Sequence, residues 1–533
     1  MTGLCHEELR RLGFFYCLGM LKPSSPYGRE LARNPRFFAP EDREALETEW
    51  NNIEKGTVAL CKKADAVARL RHCFSQLRDI RVTLRRIMDD WQTQSERRNG
   101  AESLDEIELF EVKRFLLQLA LIVPIYKQTG AAFVGITINE TPEALLLLDP
   151  DGTKLPAYSV YAAPSSPLRE ARNKKAALEA ALREQTDEEE RKRLLEERRL
   201  WASKEEVETR LEMRRLTVSL RPYAEALLQN AQSIGRVDYL LEKARLATER
   251  DCVMPVLIDK GVRFVQMVNP RLDDLLREHG SGVDGGFCPE TSDITYQSQH
   301  VVGFTPLSID APRGATVITG ANMGGKSVAI RTLALNILLC QAGFFAFAKR
   351  AEVSLFDCLH VIMGNQESEE RGVSSFVGEI IKIERLLSDI KCGKHCFSII
   401  DEPARGTNPE EGAALLKALL KKLSDGRSVS VVTTHFDDVS GVATARYRAA
   451  GFYNLPDKMP EGAGVSWIIK HLRYGLLPDD GSPLPRHALT VCRLLGLNRD
   501  VVEEMERIMK VTNSGQESES AIDQTADGRA LEV

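Results

Sequence analysis

The chain has no excess of basic charge: 71 Lys and Arg stand against 77 Asp and Glu, a formal net charge of −6 over 533 residues. A global basic footprint of the kind that announces a nucleic-acid binder is missing, although a local patch would suffice for one. No apolar stretch is long enough to cross a bilayer. The short apolar run Leu12–Leu21 follows Arg10 and Arg11 but leads into Lys22-Pro23 without a small-residue cleavage site, so a core helix is expected rather than a signal peptide. None of the eleven cysteines forms a CxxC pair. Cys392, His395 and Cys396 cluster, but a structural zinc site takes four ligands, and no second pair lies near them in sequence. Free thiols around a strand, in a reducing cytoplasm, are the expectation.

The length calls for two to four domains. Residues 1–163 read as mostly helical, with apolar residues at three- and four-residue spacing over Glu41–Cys61, Ala64–Arg86 and Leu104–Leu121. The period then changes. Ala131–Ile138 alternates, and Leu145–Leu148 runs into the turn sequence Asp149-Pro150-Asp151-Gly152 before Lys154–Tyr161, which predicts a small β-hairpin. Pro164-Ser165-Ser166-Pro167 marks a boundary. Residues 164–249 interleave Arg and Glu at helical spacing with a break near Gln185-Thr186-Asp187, the pattern of an antiparallel helical arm. A solvated helical hairpin without special chemistry has the same pattern. The two signs nearly balance there, which argues against a phosphate-binding stripe. From 250 to 510, short β-rich runs (Val262–Val268, Ala315–Ile318, Cys396–Ile400, Ser428–Val432) alternate with helical stretches, as in a sheet with crossover helices. Residues 511–533, rich in Ser, Glu, Gln and Asp, are expected to lack fixed structure.

Three motifs carry chemistry. Gly320-Ala321-Asn322-Met323-Gly324-Gly325-Lys326-Ser327 follows the apolar strand Ala315–Ile318 and opens a helix, the context a P-loop requires. Glycines let backbone N–H groups turn around phosphate oxygens at a positive helix end. Lys326 is expected to neutralise the β- and γ-phosphates of ATP, and Ser327 to hold Mg²⁺. The apolar strand Phe397–Ile400 ends in Asp401-Glu402, where Asp401 suits the Mg²⁺ shell and Glu402 the attacking water. Thr433-Thr434-His435 follows a third strand and puts His435 where a γ-phosphate could be sensed. Alone, such a histidine is more often structural.

Together these stretches resemble the MutS family. Asn322-Met323-Gly324-Gly325 within the loop is far more restrictive than a generic P-loop. Arg371-Gly372-Val373-Ser374-Ser375-Phe376-Val377-Gly378-Glu379 resembles the family's signature loop, in which Ser374 would reach the neighbouring subunit's nucleotide. Asp401-Glu402-Pro403-Ala404-Arg405-Gly406-Thr407-Asn408-Pro409 is similar to the Walker B loop of the recombination-suppressing subfamily, and Thr434-His435-Phe436 to the switch histidine. Pro26–Leu31, Ile234–Ala247 and Met267–Pro270 resemble the lever and the segments leading into the ATPase. Val328 and Pro403 depart from the usual pattern and no Phe-x-Glu mismatch wedge occurs, so neither a mismatch domain nor a nuclease-like tail is expected.

The resemblance implies an α/β P-loop ATPase domain of ABC type, an N-terminal all-α lever region and a coiled-coil arm. It also implies a homodimer, with Pro483–Met509 supplying dimerising helices, and ATP and Mg²⁺ as cofactors. Two functions follow from it. One is nucleotide-driven binding of double-stranded or branched DNA, in mismatch repair or recombination. The other is ATP-driven remodelling of a protein partner, such as a cobalamin-dependent aminomutase.

Overall fold

The computed structural model describes residues 3–88, 103–154, 160–280, 304–320, 325–363, 375–405, 407–436, 441–452, 472–479 and 488–508. Two compact units form, one from 18–36 and 47–249, the other from 1–17, 37–46 and 250–533. Among the described residues no helix is long and apolar enough to cross a membrane.

The first unit is helical. Its core helix, Ala224–Glu249, is buried along most of its length. Small residues let neighbours approach it closely. A Cβ on Gly235 would lie 2.7 Å from that of Tyr27, and one on Gly56 would lie 2.8 Å from that of Ala244. Asp238, on the same helix, accepts hydrogen bonds from the backbone of Ser24 and Ser25 and from Ser25 Oγ, while Ser25 caps the helix Pro26–Arg33 by accepting from Gly28 N. Lys243 and Arg236 face Glu49 of the helix Arg43–Lys62, with Lys243 Nζ 2.9 Å and Arg236 Nη2 2.6 Å from its two oxygens. A charged cluster this deep persists only because each charge has a partner.

The helices Pro167–Glu184 and Glu188–Leu220 run antiparallel, as Arg172 and Lys175 with Glu205, and Arg198 with Glu179, show. They join through Gln185–Asp187, and Asp187 caps the second helix. The stretch expected to complete the arm does not do so. Arg221-Pro222-Tyr223 forms a 3₁₀ turn, and the chain beyond it becomes the buried core helix. Proline lacks the N–H that an uninterrupted helix would need there.

The hairpin expected over 131–161 does not form in the described residues. Pro142–Leu148 is a helix, with Pro142 in its first turn and Ala144 and Leu148 buried four residues apart. Residues 131–139 run without a strand partner, yet their backbone is satisfied by side-chain amides. Asn52 bonds both N–H and C=O of Val134, and Asn230 does the same for Asn139. The alternation therefore reflects one buried face against helices rather than a sheet. Residues 155–159 lie outside the described residues.

The second unit is α/β. Six strands lie in the order β10-β9-β4-β8-β7-β6, where β4 is Gly314–Thr319, β6 Cys358–Ile362, β7 Cys396–Asp401, β8 Val429–Thr433, β9 Ala445–Phe452 and β10 Leu472–Pro478. All pairings are parallel except that of β9 with the edge strand β10. The fully buried runs of β4, β6 and β8 suit a parallel sheet covered on both faces. One face packs Cys358, Ile362, Cys396 and Ile400 against Ile383 and Leu386 of the helix Ser375–Lys391 and Leu416, Leu420 and Leu423 of Pro409–Ser424. A smaller sheet has the order β1-β5-β2-β3, with β1 Val256–Leu257, β2 Val262–Met267, β3 Leu307–Ala311 and β5 Arg350–Val353.

The N-terminal residues belong to this unit. Gly13, in a left-handed conformation, ends the helix His6–Leu12, and a second helix covers Phe14–Gly19, so the apolar run is not one helix. Phe38 N donates to Gln341 O while Gln341 Nε2 donates to Phe38 O, which ties 37–46 to the P-loop helix Lys326–Gln341. At the other end, Ala488–Leu494 and 499–508 are helices joined by an Arg493–Glu506 ion pair. The tail 511–533 lies outside the described residues.

Candidate nucleotide site

Parallel strands bring their C-terminal ends to one edge of a sheet, and here β4, β7 and β8 deliver Thr319, Asp401 and Thr433 side by side. Gly320 leaves β4 at φ 132°, and a Cβ there would come within 3.1 Å of that of Ala449, so glycine is required for the exit. Gly325, at φ 79°, turns the chain into the helix whose first residues are Lys326 and Ser327.

The side chains converge. Ser327 Oγ donates to Asp401 Oδ1 at 3.0 Å, and Thr433 Oγ1 donates to the same oxygen at 2.7 Å. Thr433 stands directly opposite Asp401 in the β7–β8 register, which is why it can reach. Lys326 Nζ lies 3.0 Å from Glu402 Oε1 and also donates to Gly320 O. Arg405 closes on the other oxygen of Glu402. Glu402 adopts φ 47° and Ala404 φ 66°, a left-handed conformation that costs non-glycine residues on the order of 1 kcal/mol or more. Thr433 holds the bend by accepting Glu402 N at both its Oγ1 and its carbonyl. Gly412, at the start of the next helix, leaves room for Ala404, since a Cβ would sit 3.3 Å from Ala404 Cβ.

Glu379 reaches the same loop, accepting Ala404 N at 3.2 Å, and burial pushes its carboxyl above the usual range against that bond. His435 follows β8 with its ring exposed and packed on Phe436, their centroids 4.4 Å apart. Of the residues singled out in the sequence, Gly320, Gly325, Lys326, Ser327, Asp401 and Glu402 gather at this edge, and His435 follows the adjacent strand. Ala321, Asn322, Met323, Gly324 and Ser374 lie outside the described residues. The motifs alone do not announce Thr433, which is legible only once its register with Asp401 is known, or Arg405, which is signalled only by its i,i+3 spacing from Glu402.

A parallel sheet whose central strand feeds a glycine loop and a lysine-bearing helix, beside a strand ending in two carboxylates, defines the P-loop nucleotide-binding class. A family model described as MutS domain V matches residues 316–510. The chain is 32% identical over 328 residues to the "Endonuclease MutS2" of Thermomicrobium roseum, covering 59% of this chain and 37% of that protein. It is 28% identical over 292 residues to the protein of the same name from Geobacillus sp. (54% and 32%), and 28% over 311 residues to that from Acetivibrio thermocellus (57% and 34%). Over residues 316–510 the chain is thus similar to MutS domain V, and over a longer stretch to these MutS2 proteins. It spans about a third of the length of these curated relatives.

Proposed function

We propose that this chain is a MutS-type ATPase that hydrolyses ATP with Mg²⁺, works as a homodimer, and couples nucleotide state to its grip on double-stranded or branched DNA. The observation that carries the reading is the buried Lys326–Glu402 pair set beside the Ser327–Asp401 bond. A lysine, a left-handed glycine turn and two hard oxygens 3.0 Å apart are the donor set that triphosphate and Mg²⁺ prefer. Gly320 to Ser327 would wrap the phosphates, with Ser327 and Asp401 holding the metal. Mg²⁺ held there would supply countercharge to the phosphates.

The remaining steps fall to the chain's own groups. In the resting arrangement Lys326 is neutralised by Glu402, so phosphates bind by taking Lys326 over. Glu402 is thereby released to orient and deprotonate the attacking water, while Arg405 and the Thr433 bonds limit how far it can move. His435 is assigned to sensing the γ-phosphate and Ser374 to completing the partner's site. The helical unit takes the role of lever, the antiparallel pair 167–220 that of a short arm, and the two helices after Ala488 that of a dimer contact.

DNA as ligand is supported by the similarity of 316–510 to MutS domain V and by the MutS2 relatives. The test is steady-state ATPase activity with no DNA, with linear duplex, with mismatched duplex and with a four-way junction. A change in turnover with duplex or junction is expected. Turnover indifferent to every DNA, with stimulation by a protein partner instead, would overturn the DNA reading and leave the nucleotide site standing.

A further inference from the structure

At the other end of the same sheet lies a cluster that nucleotide chemistry does not use. Cys358 is the first residue of β6 and Cys396 the first of β7, and the two stand directly opposite each other in parallel register. Their Sγ atoms are 3.1 Å apart, and both residues are buried. His360, two residues along β6, points to the same face because side chains alternate with a period of two. It is 8% exposed, and its Nε2 is shut off from solvent. Asp389, near the end of the helix Ser375–Lys391 that covers this face, brings Oδ2 to 3.1 Å from His360 Nε2 and 3.8 Å from Cys358 Sγ. The sulfur atoms and an imidazole nitrogen fall within 4.8 Å of one another.

We propose that Cys358, Cys396, His360 and Asp389 form a structural zinc site that bolts β6, β7 and the covering helix together. Two thiolates, one imidazole and one carboxylate are a complete tetrahedral set with no open position, as in structural rather than catalytic zinc sites. Zn–S bonds of about 2.3 Å put tetrahedral sulfurs about 3.8 Å apart, so the ion requires the two strand ends to open by less than an ångström. Charge also balances. Two thiolates and a carboxylate around a divalent ion leave one negative charge, and Lys394 Nζ, 2.8 Å from Asp389 Oδ1, answers it. That bond occupies Oδ1 and leaves Oδ2 for the metal.

A disulfide between the cysteines would account for their proximity but not for a buried imidazole within 4.8 Å of both sulfurs with a carboxylate beside it. The imidazole and the carboxylate favour zinc over Cu(I), which thiolates alone would suit. Cys392 and His395, which cluster with Cys396 in sequence, take no part. Cys392 is exposed and His395 Nδ1 is engaged with Leu355 O. From Cys396 to Asp401 the strand runs roughly 17 Å at the usual rise per residue, so the ion would steady the sheet that carries Asp401 without touching nucleotide.

The full chain, purified in reducing buffer without chelator, should carry one zinc per chain by elemental analysis. Titrating the wild-type thiols with a mercurial should release that zinc, read with a chromogenic chelator. Cobalt substituted for zinc should show thiolate charge-transfer absorption. Cys358→Ser and Cys396→Ser should lose the metal, Cys392→Ser should keep it, and His360→Ala should weaken retention and alter the cobalt spectrum. The wild-type measurements stand even if the cysteine variants fold poorly. The proposal is overturned if reduced wild-type chain supplied with zinc retains none, if cobalt gives no thiolate band, or if zinc persists in a folded Cys358→Ser variant. A Cys358–Cys396 disulfide in place of metal, seen as a mass lower by two hydrogen atoms, would overturn it as well.

Discussion

Lys326 and Glu402 are paired at 3.0 Å with their side chains 2% and 5% exposed, so the proposed base of the hydrolytic step is held by the group proposed to bind the phosphates. Glu402→Gln removes the charge that competes with phosphate for Lys326 but keeps the side chain's shape. ATP binding should be retained or tightened, and turnover should fall by about 10²–10⁴, the usual range for a lost general base. Calorimetry and steady-state hydrolysis read the two effects separately. Hydrolysis at the wild-type rate would move the base elsewhere, with His435 the next candidate.

Lys326→Ala leaves the phosphates without their main countercharge, and tight ATP binding should disappear. Glu402 keeps Arg405 as a partner in that variant, so the fold should survive and the loss should show as affinity rather than as unfolding. Near-normal affinity in a calorimetric titration would refute the P-loop assignment.

The helical unit has its own test in Glu49. Burial alone would raise its carboxyl, but Lys243 and Arg236 outweigh burial and hold it below the ordinary value of 4.5. A depressed carboxyl stabilises the fold above the unfolded-state value, and that contribution is lost as pH falls through the folded-state value. Wild type should therefore lose stability on acidification below about pH 4.5. Glu49→Gln leaves Lys243 buried without its countercharge and should cost roughly 3–5 kcal/mol at neutral pH. Its stability should depend less on pH in the acid range. Thermal unfolding followed by far-UV circular dichroism across that range checks both, and parallel curves for the two proteins would count against the pairing.

What the sequence made legible follows from how local each signal is. Lys326, Asp401 and Glu402 could be read because a strand, a glycine turn and two carboxylates are contiguous. The strand residues Ala315–Ile318 and Cys396–Ile400 announced themselves as apolar runs. Cys358, His360 and Cys396 could not be read together, because 38 positions separate the two cysteines and only the β6–β7 register joins them. The stretch 131–138 alternates like a strand, yet Asn52 and Asn230 side chains take the place of a neighbouring strand. The N-terminal segment 1–17 read as part of the helical region, whereas Leu12, Phe14 and Cys17 are buried in the α/β unit. Composition does not tell an apolar residue which core it joins.

If DNA is the ligand, affinity should be weak, should fall steeply with salt, and should not respond to a single mismatch. No Phe-x-Glu wedge is present to read bases, and on the 167–220 helix pair Arg172, Lys175 and Arg198 are already engaged with Glu205 and Glu179. Contacts would then be to the backbone, which release counterions without reading sequence. Fluorescence anisotropy over a salt series, with matched and mismatched duplexes, measures this. A clear preference for the mismatch would contradict it.

Ser374→Arg should damage hydrolysis through the other subunit. The helix Ser375–Lys391 starts directly after this position, and its Glu379 is tied to Ala404 in the loop following Glu402 of the same chain. By the family resemblance, Ser374 completes a nucleotide site that Lys326, Asp401 and Glu402 build on the opposite chain. An arginine there should block closure without touching the residues that bind ATP in its own subunit, so ATP affinity should persist while turnover is lost. Mixing Ser374→Arg with Glu402→Gln then gives heterodimers in which one site is ruined twice and the other has both wild-type halves. Two inactive homodimers recovering turnover on mixing cannot be explained by a site built within one chain. Heterodimers that form and stay inactive mean either that the composite site is wrong or that both sites must fire together. Single-turnover hydrolysis on the isolated heterodimer separates these, because a concerted pair still binds two ATP molecules before stalling, whereas a misassigned Ser374 leaves no reason for the mixed dimer to differ from its parents.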